Sequence, residues 1–331
     1  MKIVQLDGYA ANPGDLDWKP WNEIETADGE RCVFTEYDRT EPELVVERAK
    51  DADIIIINKV LITSDIMAQL PQLKYIGVLA TGYNVVDIAA ARRRGIIVTN
   101  IPAYSTASVA QCVFAHILNI TNAVELHSQS VRNGDWGRCP DFTYTLSPQT
   151  ELAGRTIGII GYGNTGRAVA EIAHAFGMKV MLAPSLRKSG AKRKGLPEYV
   201  EEAESLERFF AESDIVSLHC PLTDSTRHII NRSTIALMKP SAIVINTGRG
   251  PLVDEAALAE ALNSGRIAAA GVDVLEEEPP VDGSPLIEAR NCHITPHIAW
   301  ATQAARQRLF NIAVENVKAF LNGAPQNVVS A

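Results

Sequence analysis

No apolar run in this 331-residue chain approaches the ~18 residues that crossing a bilayer requires, so no membrane partner is expected. Cysteine is scarce. Cys32, Cys112, Cys139, Cys220 and Cys292 are odd in number and scattered, and no CxxC pair occurs. Neither a zinc site nor a disulfide framework is suggested, and reduced thiols in a cytosol fit best. No secretory leader is recognisable: MKIVQLDGYA enters a strand directly, which points to a cytoplasmic location. A basic surplus is also missing. Lys and Arg number 31 against 39 Asp and Glu, a formal net charge of −8, which argues against a nucleic-acid partner. There are no short internal repeats and no low-complexity tracts. What is present is ordinary globular material. A hydrophobic content of 46% can fill large cores, and the length suggests about two domains.

The most informative stretch is RTIGIIGYGNTGRAVAEIAHAFGMKVMLA, from Arg155 to Ala183. Thr156 to Ile160 is a short β-branched run that suits a strand buried on both faces. Gly161, Gly163 and Gly166 follow as GYGNTG, with Asn164 and Thr165 inside the turn. Ala168, Ile172, Ala175 and Phe176 then show helical spacing, and Met178 to Ala183 reads as the next strand. A lone GxGxxG is often only a tight βα turn. Here the strand, turn, helix and strand together point to a dinucleotide site. Gly161 permits the turn, Gly163 lets backbone approach a pyrophosphate, and Gly166 lets helix and strand pack closely. The helix start offers free N–H groups to the phosphates.

Residues 1–99 alternate strand candidates (Lys2–Leu6, Asp53–Ile57, Tyr75–Leu79, Ile96–Thr99) with helix candidates over 41–50, 64–69 and 85–94. That pattern predicts an open parallel sheet covered by helices. No glycine fingerprint follows its first strand, so the nucleotide belongs to the second half. Residues 106–126 read as one long apolar helix. Residues 127–150 are long for an idle connection and carry Trp136, Phe142 and Tyr144. They form either an arm packing on another subunit or a surface loop pinned to its own core. Residues 155–296 are a second alternating unit, with later strands at Ile215–Leu218, Ile243–Asn246, Ile267–Val272 and Cys292–Thr295 and helices near 205–211, 233–238 and 254–263. An amphipathic helix over 301–321 follows and could complete the first unit. The predicted class is α/β, with two doubly wound parallel-sheet domains.

Three chemistry-bearing residues fall just past predicted strand ends: Arg249 in INTGRGPLVDE, Glu278 in VDVLEEEPP and His297 in TPHIAW. Each has a plain structural explanation alone: a turn residue, part of a solvated acidic run, a helix-start histidine. Together on one sheet edge they suit hydride transfer to a 2-keto acid. The developing alkoxide needs a proton, and histidine titrates in the right range. A carboxylate on its other ring nitrogen fixes the tautomer. An arginine fork matches a substrate carboxylate.

At this point the chain resembles the D-isomer-specific 2-hydroxyacid dehydrogenases. GYGNTG, LHCPLTDSTRHIIN, INTGRGPLVDE, AAGVDVLEEEPP and ITPHIAW match that family's successive signatures along essentially the whole chain. Within the family it looks most like the glycerate dehydrogenases and the hydroxypyruvate or glyoxylate reductases, with Trp300 of PHIAWAT as one pointer. The resemblance implies a discontinuous, flavodoxin-like substrate domain of residues 1–100 and 300–331. It also implies a Rossmann-type NAD(P)-binding domain of 101–299, on which the first domain closes. It implies Arg249, Glu278 and His297 as catalytic residues, and Thr81, Gly82 and Tyr83 of ATGYNVVD as substrate carboxylate donors beside Arg249. Cofactor contacts carry over to Gly161, Gly163, Asn164, Thr165, Gly166, Cys220, Thr247, Gly248, Arg249, Asp273 and His297. The segment 106–150 resembles a dimerisation region, implying a homodimer, with Trp136 as a residue that could reach the partner's site.

One departure bears on the cofactor. Family members that use NAD usually place Asp or Glu at the end of the second strand, where it binds the adenosine ribose. Here VMLAPSLRKSG puts Pro184 there, followed by Ser185, Arg187 and Lys188. This loop offers hydroxyl and cationic donors to a 2′-phosphate, so NADP(H) is expected ahead of NAD(H). The bland alternative is a solvated basic loop. Gly248 also stands where a larger small residue is common. Two rival functions remain: phosphoglycerate dehydrogenase, and an NAD(H)-sensing interaction protein like the transcriptional corepressors that resemble this family.

Overall fold

Short β-branched runs set the strands, and their burial on both faces selects parallel sheets. The computed structural model describes residues 1–185 and 193–330. The chain forms two units, Met1–Ser105 with Ala301–Ala331, and Thr106–Trp300.

In the first unit β1 (Lys2–Gln5), β2 (Val33–Glu36), β3 (Ile54–Ile57), β4 (Tyr75–Val78) and β5 (Ile97–Thr99) form one sheet. Its order is β2-β1-β3-β4-β5, and every pairing is parallel. That is the flavodoxin-like order. All four isoleucines of β3 are buried, each contributing about 2 kcal/mol by removing its side chain from water. Short helices α1 (Lys19–Asn22), α2 (Val45–Ala49), α3 (Ser64–Ala68) and α4 (Ile88–Arg93) connect the strands. Thr63 and Asp87 cap α3 and α4 through side-chain oxygens.

The second unit opens with α5 (Thr106–Asn122), α6 (Val124–Arg132) and α7 (Asp135–Arg138). The sequence predicts one helix to residue 126, but Ala123 takes a left-handed conformation, φ +45°, and ends α5 there. No glycine or proline announces that break, so the apolar pattern runs straight through it. The sheet that follows contains β6 (Thr156–Ile160), β7 (Lys179–Leu182), β8 (Val200–Glu202), β9 (Ile215–Leu218), β10 (Ile243–Asn246), β11 (Ala269–Val272) and β12 (Cys292–Ile294). Its order is β12-β11-β10-β9-β6-β7-β8, again with parallel neighbours throughout. The order reverses between β6 and β9, the crevice where a doubly wound sheet binds its ligand. Helices α8 (Asn164–Ala175), α9 (Leu206–Glu212), α10 (Arg232–Ile235) and α11 (Glu255–Asn263) complete this unit. α5 packs along α8, with Phe114 and Phe176 stacked at 5.3 Å between ring centres.

The last helix, α12 (Gln303–Leu321), belongs to the first unit. Its Phe310 ring lies 4.8 Å from Trp18, and Arg306 forms a two-pronged pair with Asp15 at 2.5 and 2.6 Å. Asn316 donates to the Asn100 carbonyl and anchors the helix beside the end of β5. Among the described residues no single helix is long and apolar enough to cross a membrane. All five cysteines are free.

Candidate active site

The glycine turn after β6 is built by close approach. Gly161 has φ +100°, and a Cβ there would lie 2.4 Å from the Cys220 backbone nitrogen. The turn after β6 therefore touches the turn after β9 backbone to backbone, at the point where strand order reverses. A Cβ on Gly166 would lie 2.1 Å from the Gly161 carbonyl oxygen, so the first turn of α8 also needs a bare residue. Gly163 differs. A Cβ there would meet nothing within 4 Å, so its backbone faces open space. Asn164 and Thr165 are the first helical residues, and no side chain caps the α8 start. Free N–H groups and a positive helix end thus face the cleft, which suits a pyrophosphate.

The cleft has a volume of about 920 Å³. The glycine turn, Pro184 and Ser185 past β7, and His219 to Pro221 past β9 all line it. Burial pushes the Cys220 thiol up to about 11 and holds it neutral. Part of the His219 edge reaches the cleft, yet the surrounding protein desolvates the ring and pushes it down to about 4. The proposed contacts Arg187 and Lys188 lie outside the described residues. Two cations the sequence reading passed over, Arg193 and Lys194, line the cleft beyond Ser185. Arg193 Nη1 donates to the Ala183 carbonyl at 2.8 Å and pairs with Glu202 of β8 at 2.6 Å. The signal was available: the basic run KSGAKRK continues through Lys194.

Thr247, Gly248 and Arg249 follow β10. Asn246 shapes this turn, accepting from the Gly248 N–H at 3.0 Å and donating to the Arg249 carbonyl at 2.9 Å. Thr247 Oγ1 is buried and lacks a hydrogen-bond partner among the described residues. An orphaned hydroxyl there fits a polar group of a bound dinucleotide. The Arg249 guanidinium is exposed and touches its neighbour's carbonyl, Gly248, at 2.7 Å. At Gly250 a Cβ would lie 1.8 Å from the Leu275 carbonyl oxygen, so the turn after β10 lies directly on the turn after β11.

The turn after β11 carries Glu278, and the turn after β12 carries His297. Glu278 Oε2 lies 2.6 Å from His297 Nδ1, while its Oε1 accepts from the Leu275 N–H at 3.0 Å. The carboxylate is therefore fixed on both oxygens. A carboxylate can only accept there, which favours a proton on Nδ1 and leaves Nε2 outside this pair. His297 itself has φ +53°, an uncommon conformation for a side-chain-bearing residue. Its N–H donates to the Asp273 carbonyl at 2.8 Å. The Asp273 side chain is buried and accepts from Thr295 Oγ1 at 2.6 Å, and from the Ile298 and Ala299 N–H groups at 2.8 Å each. Asp273 was expected as a cofactor contact; its carboxylate holds the His297 turn.

In the first unit, Thr81, Gly82 and Tyr83 lie past the end of β4. Thr81 Oγ1 donates to the Ile101 carbonyl, and Asn100 Nδ2 donates to the Thr81 carbonyl, both at 2.8 Å. Tyr83 is exposed. Trp136 donates its indole N–H to the Phe142 carbonyl at 3.0 Å and so braces its own arm.

Comparison with known proteins agrees with this geometry. Residues 114–299 match the sequence profile of the D-isomer specific 2-hydroxyacid dehydrogenase NAD binding domain. The chain is 46% identical over 330 residues to a hydroxypyruvate reductase of Blautia hydrogenotrophica, covering 100% of both chains. It is 44% identical over 301 residues to a glycerate dehydrogenase of Methylorubrum extorquens, covering 90% of this chain and 92% of the other. Among solved structures, an NADPH-dependent glyoxylate/hydroxypyruvate reductase from Sinorhizobium meliloti in complex with citrate superposes with a TM-score of 0.82 at 29% identity, covering 99% of this chain and 97% of that one. The glycine turn, the histidine–glutamate pair and these relatives agree: the chain belongs to the D-isomer specific 2-hydroxyacid dehydrogenase family.

Proposed function

We propose that this protein reduces a small 2-keto acid, hydroxypyruvate or glyoxylate, with a nicotinamide cofactor to give the 2-hydroxy acid, of D configuration where the product is chiral. The observation that carries the reading is the 2.6 Å contact between His297 Nδ1 and Glu278 Oε2, on the same sheet edge as the glycine turn. When bound, the reduced nicotinamide supplies the hydride. His297 delivers a proton from Nε2 to the carbonyl oxygen as charge develops there. Glu278 stabilises the imidazolium from which that proton leaves and holds the neutral ring left behind in the Nδ1–H tautomer; in the reverse direction the same ring takes the hydroxyl proton on Nε2. Arg249 takes the substrate carboxylate in its planar fork and polarises the keto group. Gly161 to Gly166, Cys220, Thr247 and Gly248 hold the cofactor.

NADP(H) is the preferred cofactor in this reading. No carboxylate follows β7, where Pro184 and Ser185 stand, and Arg193 and Lys194 add positive charge to the same cleft. The opposing consideration is Glu202, which already neutralises part of Arg193. The protein acts in the cytoplasm as a homodimer joined through 106–150. Apolar side chains exposed on that segment, Phe142 at 88% and Val124 at 69%, support the pairing.

The test is steady-state oxidation of NADPH and NADH with hydroxypyruvate, glyoxylate, pyruvate and 3-phosphohydroxypyruvate. The account expects the first two acids to give the highest kcat/KM, and NADPH to exceed NADH. A preference for 3-phosphohydroxypyruvate would make it a phosphoglycerate dehydrogenase, a clear NADH preference would remove the cofactor claim, and no turnover with any acid would favour a nucleotide-sensing role. Sedimentation of the purified protein tests the dimer, with a monomer at micromolar concentration as the contrary result.

A further inference from the structure

Helix α5 carries a buried histidine, His116, on the face packed against β11. The strand makes room for it with a bare residue. A Cβ on Gly271 would lie 2.7 Å from His116 Cβ. His116 Nε2 then lies 3.2 Å from Thr295 Oγ1, across 179 residues of sequence. Thr295 Oγ1 in turn lies 2.6 Å from Asp273 Oδ1.

Counting protons orients this chain. A carboxylate only accepts, so the single hydroxyl hydrogen of Thr295 goes to Asp273. The His116 contact must therefore run the other way, from Nε2–H to Oγ1. That requires a proton on Nε2, which in the neutral ring is the Nε2–H tautomer. Burial pushes His116 below the usual histidine range, with His293 adding to the push and Asp273 opposing it. Cys112 lies one turn earlier on α5, and burial raises its thiol to about 11, so it stays protonated.

The far end of the chain is the His297 turn. Asp273 Oδ1 receives the Ile298 N–H, Oδ2 receives the Ala299 N–H, and the Asp273 carbonyl receives the His297 N–H. A left-handed non-glycine residue is strained and persists only where its surroundings impose it. The Thr295 hydroxyl adds a third bond to the Asp273 carboxylate and fixes its rotation. We propose that His116 and Thr295 are positioning residues for the reduction: through Asp273 they hold residues 297–299, and with them the His297 imidazole, in productive geometry. This rests on the reading of His297 as proton donor.

The experiment compares Thr295→Val with Thr295→Ser, and His116→Leu with His116→Gln, at saturating NADPH. Valine keeps the shape and loses the hydroxyl; serine keeps the hydroxyl. Glutamine retains an N–H donor; leucine does not. A misplacement of the acid should lower kcat about tenfold to a hundredfold in Thr295→Val. KM for hydroxypyruvate should stay within about threefold, because no substrate contact is removed. The primary isotope effect from deuterated NADPH should rise as chemistry becomes limiting. Thr295→Ser and His116→Gln should recover most of kcat. Wild-type kcat in Thr295→Val, or equal impairment of Thr295→Ser, would overturn the proposal. If Thr295→Val does not fold, the His116 pair decides: equal kcat in His116→Leu and His116→Gln overturns it. His297→Ala separates the two readings. If it is inactive while Thr295→Val is normal, only the relay fails; if it is fully active, the proton-donor reading fails.

Discussion

Asp7, past β1 in the first unit, and Asp273, past β11 in the second, each pin the turn at the end of a neighbouring strand. Asp7 accepts from the Asn58, Lys59 and Val60 N–H groups at 2.7, 2.6 and 3.0 Å. Asp273 accepts from the Thr295 hydroxyl and two backbone N–H groups. Burial pushes the Asp7 carboxyl above its usual range, against the pull of its three N–H donors. The physical device is the same: a carboxylate satisfies the orphan donors of an adjacent turn. What differs is the cargo. The turn held by Asp7 has ordinary backbone, whereas the turn held by Asp273 carries a histidine at φ +53° paired to a glutamate. Pinning a turn is a fold-level device; chemistry enters with what the pinned turn displays.

The sharpest break in that comparison is His297→Ala. Turnover should fall by about 10²–10⁴, the usual worth of a positioned acid, with NADPH binding by fluorescence titration unchanged. Next come the glycines. Gly161→Ala forces a Cβ to within 2.4 Å of backbone at φ +100°. It should lose about 1–3 kcal/mol of stability together with nucleotide affinity. Gly163→Ala points into open space, so denaturant unfolding should stay within about 0.5 kcal/mol of wild type while NADPH binds at least about tenfold more weakly. Equal stability loss in both would contradict the close-approach account.

The two aspartates can then be set against each other. Asp273→Asn should lower kcat by about tenfold or more through the His297 turn. Asp7→Asn should lower the unfolding midpoint by about 1–3 kcal/mol equivalent and leave kcat of the folded enzyme within a few-fold. The smallest effect concerns pH. His219 is held near 4 in the folded protein, against ~6.5 when unfolded. Between those values the unfolded chain binds a proton that the native state refuses, so stability is full above about pH 6.5 and declines as pH falls toward 4. His219→Gln should reduce that acid loss by on the order of 2 kcal/mol, leaving the part due to His116 and His293, which shift in the same direction.

Central strands were the most legible part of the fold. Thr156–Ile160 and Ile215–Leu218 are strands as the β-branched runs predict. The sequence reading passed over two edge strands, Val33–Glu36 and Val200–Glu202. Edge strands bury little, and Val33 is 63% exposed, so their polar composition hid them. Helix α8 starts at Asn164, ahead of Ala168 where the helical spacing begins in the sequence, because the glycine turn itself supplies the first helical residues. Arg249, Glu278 and His297 were visible as polar residues past strand ends. The pairing of Thr295 with Asp273, and of both with His116, was not. It joins α5 to two strand ends far apart in sequence, and a buried histidine on an apolar helix looks like core.

The most direct measurement is a crystal structure with NADPH and oxamate, an unreactive 2-keto acid analogue. The account predicts His297 Nε2 at about 3 Å from the oxamate oxygen that mimics the keto group, with Glu278 still on Nδ1 and Arg249 on the carboxylate. Oxamate bound with the His297 ring turned away, or with Arg249 and His297 contacting different ligands, would contradict it.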